Sequence, residues 1–226
     1  LIAYETGFMQ RLMKGRDGGV CLFDRVLVEN DSPGVGVSEQ GSNLVPIFGE
    51  RVGRKVFFLD DPRAESAWFI VMPAYGGKPA HPLRISVNGN ETSYDDPQNR
   101  QTIDYYRWQE FPSAWLKKGR NTVDFSCPDA ASEEDGWRIF IARADDYEQG
   151  GGDPSHVGET SFVSTDSGRT FRESAFGPHG STRAEWVVRL SLDRSEPEGW
   201  LATPVIDLWK GGADMGIVPL REIRRL

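Results

Sequence analysis

Cysteine, histidine and excess basic charge are all scarce in this sequence, and each scarcity argues against a class of protein. Two cysteines in 226 residues are too few for a disulfide scaffold, and their spacing matches no zinc motif. The three histidines, His81, His156 and His179, lie beside Gly, Pro or Ser in predicted loops and supply no ligand set at metal spacing. The net charge of -8 lacks the clustered basic residues that bind nucleic acid. We therefore expect no nucleic-acid partner.

Long hydrophobic runs are also missing. No apolar run reaches the ~18 residues of a membrane-spanning helix, and no basic-then-apolar leader begins at Leu1. We therefore expect no membrane insertion, and we interpret the sequence as a processed chain or a fragment of a longer protein. The Gly-x-Ser-x-Gly elbow, the P-loop and the dinucleotide fingerprint are absent as well, which excludes several common enzyme classes.

Glycine and proline are abundant instead, at 25 and 14 residues, together 39 of 226. Such frequent chain reversals predict short strands joined by turns, and therefore an all-β fold. Period-two alternation predicts half-buried strands, and continuous apolar runs predict central strands. The alternating segments are residues 83–87, 121–127 and 186–193, the apolar runs are residues 68–72 and 137–141, and one helical turn is predicted at residues 113–118.

The two cysteines invite two interpretations. Cys127 continues the alternation of Val123 and Phe125, which predicts a buried thiol that fills the core. The alternative is a disulfide between Cys21 and Cys127.

Acidic residues concentrate in one part of the chain. Residues 129–153 hold eight carboxylates and two arginines, a local balance of -6. Residues 146–154 have the composition of an acidic, Gly-rich linker or loop. A solvated, self-repelling surface is one interpretation. The other is a calcium site, because clustered loop carboxylates suit a hard cation.

Residues 164–171, Ser-Thr-Asp-Ser-Gly-Arg-Thr-Phe, form the sharpest local motif. The spacing predicts a tight hairpin in which Asp166 accepts backbone N–H bonds and Gly168 supplies a positive φ. The motif resembles the Asp-box, or BNR motif, of sialidases and other β-propeller glycosidases, with Ser164, Asp166, Gly168, Thr170 and Phe171 at its defined positions. In that family the hairpin is structural and remote from the active site. A propeller would repeat it, and since no second copy is present we expect a sandwich.

Three ordered segments in the middle of the chain give a second resemblance. Residues 83–89 end in Val-Asn-Gly, residues 106–112 end in Phe-Pro, and residues 115–125 read Trp-Leu-Lys-Lys-Gly-Arg-Asn-Thr-Val-Asp-Phe. Together they resemble the galactose-binding-like jelly roll, common as a carbohydrate-binding module on glycoside hydrolases and polysaccharide lyases. The resemblance implies a jelly-roll β-sandwich over residues 1–145. Residues 155–226 form a further β segment with the Asp-box hairpin, which completes that sandwich or starts a second one.

Sugar binding requires aromatic faces beside polar side chains. The tyrosines of predicted loops are the candidate ligand-binding residues: Tyr75, Tyr94, Tyr105 and Tyr147. The tryptophans of strand-like runs are expected in the core instead: Trp68, Trp108, Trp115, Trp186 and Trp200.

Three functions follow as hypotheses. The first is glycan binding by an accessory module of a secreted, extracellular or periplasmic carbohydrate-active protein. The second is a glycoside hydrolase or polysaccharide lyase, which needs paired carboxylates; the candidates are Glu110, Asp124, Glu185 and Asp207. The third is a structural spacer or subunit-contact domain. The sequence pairs none of the carboxylates and identifies no sugar, and calcium is the only cofactor under consideration.

Overall fold

The computed structural model describes residues 12–14, 20–28, 44–73, 79–95, 106–149, 154–173, 176 and 182–195. Fourteen strands and one short α-helix lie in these ranges, with 3-10 turns at Ser113–Trp115 and Pro154–His156. The elements are β1 (Leu12–Lys14), β2 (Val20–Val28), β3 (Leu44–Ile47), β4 (Val52–Leu59), β5 (Ser66–Val71), β6 (Leu83–Val87), β7 (Asn90–Tyr94), β8 (Arg107–Phe111), β9 (Gly119–Ser126), β10 (Trp137–Arg143), α1 (Ala144–Gln149), β11 (Ser161–Ser164), β12 (Arg172–Glu173), β13 (Ala184–Trp186) and β14 (Val188–Ser195).

The chain divides into two compact units. The first comprises Leu1–Arg25 and Asp193–Leu226, and within it β1 and β2 pair as antiparallel strands with Leu12 opposite Leu22. The second, Val26–Leu192, contains the sheets described below.

A six-stranded antiparallel sheet forms one layer of the second unit, in the order β12, β11, β4, β9, β6, β7. Its central pair, β4 and β9, is in register from Val52 opposite Ser126 to Leu59 opposite Gly119. Because β11 pairs with β4, the segment that follows residue 155 contributes to the same sheet as the strands before it.

Two asparagines fix the turns of this sheet. Asn88 and Gly89 both have positive φ, 51° and 88°, and form the two-residue turn between β6 and β7. The Asn88 side-chain amide donates to the side-chain oxygen Oδ1 of Asn121 at 2.8 Å. Asn121 is fully buried, accepts from the Lys117 N–H at 2.9 Å and donates to the Lys117 and Gly119 carbonyls at 2.7 and 3.0 Å. The amides thus satisfy backbone groups where the chain re-enters the sheet.

A second layer faces the first across the core. β5 lies between β14 and β8 in one sheet, and β10 lies between β13 and β3 in another, which confirms both apolar runs as central strands. The Phe69 ring of β5 meets the Phe125 ring of β9 at 5.9 Å between centroids, and Phe125 meets Trp186 at 4.9 Å. The second unit is therefore an all-β sandwich with an aromatic centre.

Three predictions need correction. The strand predicted over residues 186–193 is broken at Val187, which is buried in a small second cluster with Phe140 and Tyr147. The predicted linker or loop begins inside α1, whose side chain Tyr147 fills that cluster. The disulfide alternative is wrong, since Cys127 is a free thiol.

Cys127 is instead the predicted core filler, with no exposed surface. Burial raises the pKa of this thiol to about 11. In the described part of the chain no helix is long and apolar enough to cross a membrane.

Candidate functional site

An aromatic patch lies on the outer face of β5 and β8. On β8, Trp108 and Glu110 point away from the core, because Phe111 on the opposite phase is buried. Tyr106 directly precedes the strand in the same phase and packs, partly buried, against the second cluster. On β5, Trp68 is opposite Glu110 in the register and shares this outer face. We call Trp68, Tyr106 and Trp108 the aromatic patch.

The two tryptophans of the patch contact each other. Their ring centroids are 6.4 Å apart and their planes cross at 72°, an edge-to-face arrangement. Trp108 is 42% exposed, and within the described residues only Phe58 among the large hydrophobic side chains is comparably open, at 62%. The prediction that Trp108 is a core residue is therefore wrong, and Trp68 is only half-buried.

Polar groups border the patch. The Arg189 guanidinium lies 4.6 Å from the centroid of the Tyr106 ring, a cation–π contact between β14 and the start of β8. Glu110 is exposed, and the Trp68 indole N–H reaches the Ser66 hydroxyl at 3.4 Å. Exposed aromatic faces, a cation and a carboxylate thus share one face of the sheet.

Of the four predicted ligand-binding tyrosines, the two that the structure describes lie in different clusters. Tyr75 and Tyr105 lie outside the described residues. Tyr94 is half-buried, with its ring edge-on to Trp137 at 5.7 Å. Tyr147 is 4% exposed, so the prediction that it lines an exposed rim is wrong, because α1 turns it into the second cluster.

The candidate carboxylates lie on different surfaces. Glu110 is on the outer face of β8, whereas Asp124 on β9 is held by Arg54 through two hydrogen bonds of 2.6 and 2.8 Å. Glu185 is 1% exposed inside the sandwich, and Asp207 lies outside the described residues. The structure therefore pairs none of the three described carboxylates across a groove.

The calcium hypothesis finds no ligand cluster in the part of the chain that the structure describes. There, no three His, Cys, Asp or Glu side chains are arranged to hold an ion. The acidic stretch is dispersed: Asp129 pairs with Arg84 at 2.6 Å, Glu133 with Arg138 at 3.3 Å, and Asp146 accepts from the backbone of Arg143. His81 is half-buried, His179 lies outside the described residues, and the side chain of His156 is likewise not described.

The turn at residues 164–170 is closed by side chains. Asp166 accepts from the Thr170 N–H at 2.9 Å, the Thr170 hydroxyl at 2.6 Å and the Ser164 hydroxyl at 2.7 Å. Gly168 has φ +82° and donates its N–H to the Ser164 hydroxyl at 2.9 Å. These hydrogen bonds hold the pKa of Asp166 well below its usual range, the Thr170 hydroxyl being the largest cause.

The following aromatic residue is fixed from outside the turn. The guanidinium of Arg54 lies 3.5 Å from the centroid of the Phe171 ring while its nitrogens bind Asp124. Phe171 is half-buried, so it packs on the sheet surface.

A buried charge cluster was missed by sequence reasoning. Lys55, on β4, is fully buried with its Nζ atom 2.5 Å from Oε2 of Glu185, on β13. Ser161 and Thr160 donate their hydroxyls to the same oxygen. Lys55 interrupts the otherwise apolar inner face of β4, formed by Gly53, Phe57 and Leu59, and 130 residues separate it from its partner.

Comparisons with known proteins give little beyond the geometry. No family model and no curated protein matches the chain. Among solved structures, the clostridial cysteine protease Cwp84 after propeptide cleavage is 12% identical, with a TM-score of 0.43 over 75% of this chain and 40% of that chain. The cysteine protease and lectin-like domains of Cwp84, a surface-layer-associated protein of Clostridium difficile, are 11% identical, with a TM-score of 0.39 over 75% of this chain and 36% of that chain.

This chain therefore spans 40% or less of the length of those two proteins. At such identities and TM-scores, neither likeness carries an argument about its fold or function.

Proposed function

We propose that this protein binds glycans through the aromatic patch, as a galactose-binding-like accessory module of a secreted carbohydrate-active protein. The observation that carries the proposal is the exposed indole of Trp108, set edge-to-face against Trp68 on the outer face of β5 and β8. Sugar C–H groups stack on such faces. The motif resemblances of residues 83–125 and 164–171 favour the same class of protein.

The polar border of the patch supports a sugar rather than a purely apolar ligand. Glu110 and Arg189 provide an acceptor and a donor beside the rings. A binding site for a polyol needs both, because each hydroxyl that leaves water must regain a hydrogen bond.

Glycan-array screening followed by affinity electrophoresis tests this proposal. We expect retention by at least one glycan, and we expect Trp108→Ala to weaken it about tenfold or more, equivalent to ~1.4 kcal/mol. The matched control is Phe58→Ala, which removes the other exposed aromatic side chain from the outer face of β4. It should bind as the wild type does.

Two outcomes would contradict the proposal. Absence of binding to every glycan would favour the structural-spacer hypothesis. Release of reducing sugar or of an unsaturated product would favour the hydrolase or lyase hypothesis, which lacks a described carboxylate pair. Tyr147→Ala is not a test of ligand binding, since that side chain is in the interior.

A further inference from the structure

The Lys55–Glu185 contact is unusual in its surroundings as well as in its distance. Lys55 is 0% exposed, and on its face of β4 the flanking residues are Gly53 and Phe57. Its cross-strand neighbours are Val123 on β9 and Ser161 on β11. The amine has no contact with bulk solvent. The groups that contact it must therefore supply all of the stabilisation of its charge.

The two oxygens of Glu185 have different partners. Oε1 accepts from the backbone N–H groups of Gly158 and Thr160 at 2.7 and 3.5 Å. Oε2 faces Lys55 and the hydroxyls of Thr160 and Ser161. Two backbone N–H donors on one oxygen stabilise the oxyanion of a tetrahedral intermediate. Here both donors already contact Oε1 of the unreacted carboxylate.

We propose that Lys55 and Glu185 condense into an intramolecular amide, a covalent bond between β4 and β13. One ammonium proton first passes to Oε2, and the neutral Nζ of Lys55 then attacks Cδ of Glu185, so that the Nζ–Cδ bond forms and the Cδ–Oε2 bond breaks. A second proton passes from the nitrogen to Oε2, which leaves as water, and the third stays on the amide nitrogen. Atoms and charge balance without an oxidant, a cofactor or an activated substrate.

Each neighbour has a part in this step. Gly158 and Thr160 N–H groups stabilise the negative charge that develops on Oε1. The hydroxyls of Ser161 and Thr160 contact Oε2 and relay protons to it. The rigid sandwich holds the amine against the carboxyl group, which supplies the high effective concentration that an uncatalysed condensation lacks.

The bond is independent of the proposed function, because it joins core strands rather than the aromatic patch. Its product also explains the cluster chemically: a neutral amide replaces two charges in a site that excludes water.

Intact-mass spectrometry of the purified, folded 226-residue chain under denaturing conditions is the test. We expect a mass about 18 Da below the sequence mass, the loss of one water. After digestion with trypsin, residues 55–63 should appear joined to residues 184–189, since Lys55 in an amide no longer permits cleavage.

Variants locate the bond. Lys55→Arg keeps a cation but cannot condense, and should have its full sequence mass. Lys118→Arg, an exposed change of the same kind, should keep the deficit. A folded wild-type protein with its full sequence mass and free residues 184–189 would overturn the proposal, as would a mass deficit that maps to any other peptide.

Discussion

At the scale of single residues, the surroundings of a side chain decide its chemistry here more than its type does. Cys127 and Asp166 show opposite cases. Desolvation favours the neutral thiol of Cys127, whereas hydroxyl and N–H donors favour the charged carboxylate of Asp166, which is exposed. Both pKa values move away from neutral pH, so neither group titrates under ordinary conditions.

The thiol of Cys127 should be inert in the folded protein. With a pKa of about 11, only about one molecule in a thousand carries the reactive thiolate at pH 8. We expect a Cys21→Ser variant, in which Cys127 is the single thiol, to resist a thiol-specific chromogenic reagent when folded and to react fully in urea. Equal labelling rates in the two states would show that Cys127 is accessible.

At the scale of elements, side chains hold the turns in place by forming hydrogen bonds with backbone groups that have no backbone partner. Asn121 does so at the start of β9, and Asp166 does so between β11 and β12. Such side chains satisfy backbone groups that the sheet does not pair.

The hairpin at residues 164–170 should lose stability in acid. Because the folded pKa of Asp166 lies below its ordinary value of 3.8, the unfolded chain takes up a proton first as the pH falls. The stabilisation is therefore complete above about pH 5 and is lost as the pH falls through 3.8 and then through the folded pKa.

Urea unfolding across this pH range measures the effect. We expect wild type to be more stable than Asp166→Asn at neutral pH, with the difference shrinking towards acid. Asp129→Asn, which removes an exposed carboxylate paired with Arg84, is the control and should change little. A difference between wild type and Asp166→Asn that is constant with pH would contradict the assignment.

The local sequence pattern predicts the elements well where one residue type determines the backbone conformation. The Asn88-Gly89 turn follows from its sequence because both positions require positive φ. The break at Val187 does not, since valine suits either a continuous strand or a bend. Helix α1 was missed because its six residues are mostly polar, and polar runs suit loops equally well.

The site depends on information that the local pattern does not contain. Alternation assigns Trp108 and Phe111 to opposite faces of β8 but does not say which face another element covers. The Lys55–Glu185 contact joins residues 130 positions apart. The strand order places β11 beside β4, and the packing of the two layers brings β13 to them.

At the scale of the whole sandwich, the layers meet through aromatic rings. Phe125 lies between Phe69 and Trp186, and its ring occupies the space above Gly53. A side chain at residue 53 would place Cβ 2.3 Å from the Phe125 ring. Gly53 and Phe125 are cross-strand neighbours in the same sheet, so the absence of that atom lets the Phe125 ring lie across β4 within the core.

Gly53→Ala should therefore destabilise the protein. The ring has rings on both sides and cannot move freely, so overpacking should cost ~1–3 kcal/mol of unfolding free energy. Chemical denaturation measures it, with Ser126→Ala on the neighbouring strand as a surface control expected within about 0.5 kcal/mol of wild type. An unchanged midpoint for Gly53→Ala would mean that the Phe125 ring can shift at little cost.

The outermost strands of the six-stranded sheet bear on how molecules of this protein meet one another. Among the described strands, β12 has two residues, Arg172 and Glu173, both exposed, and β7 is largely polar. Short, charged borders offer a poor template for a strand from a neighbouring molecule. Molecules at high local concentration therefore gain little free energy by pairing their sheets edge to edge. The protein can be concentrated on a surface without polymerising along the hydrogen-bonding direction of its sheets.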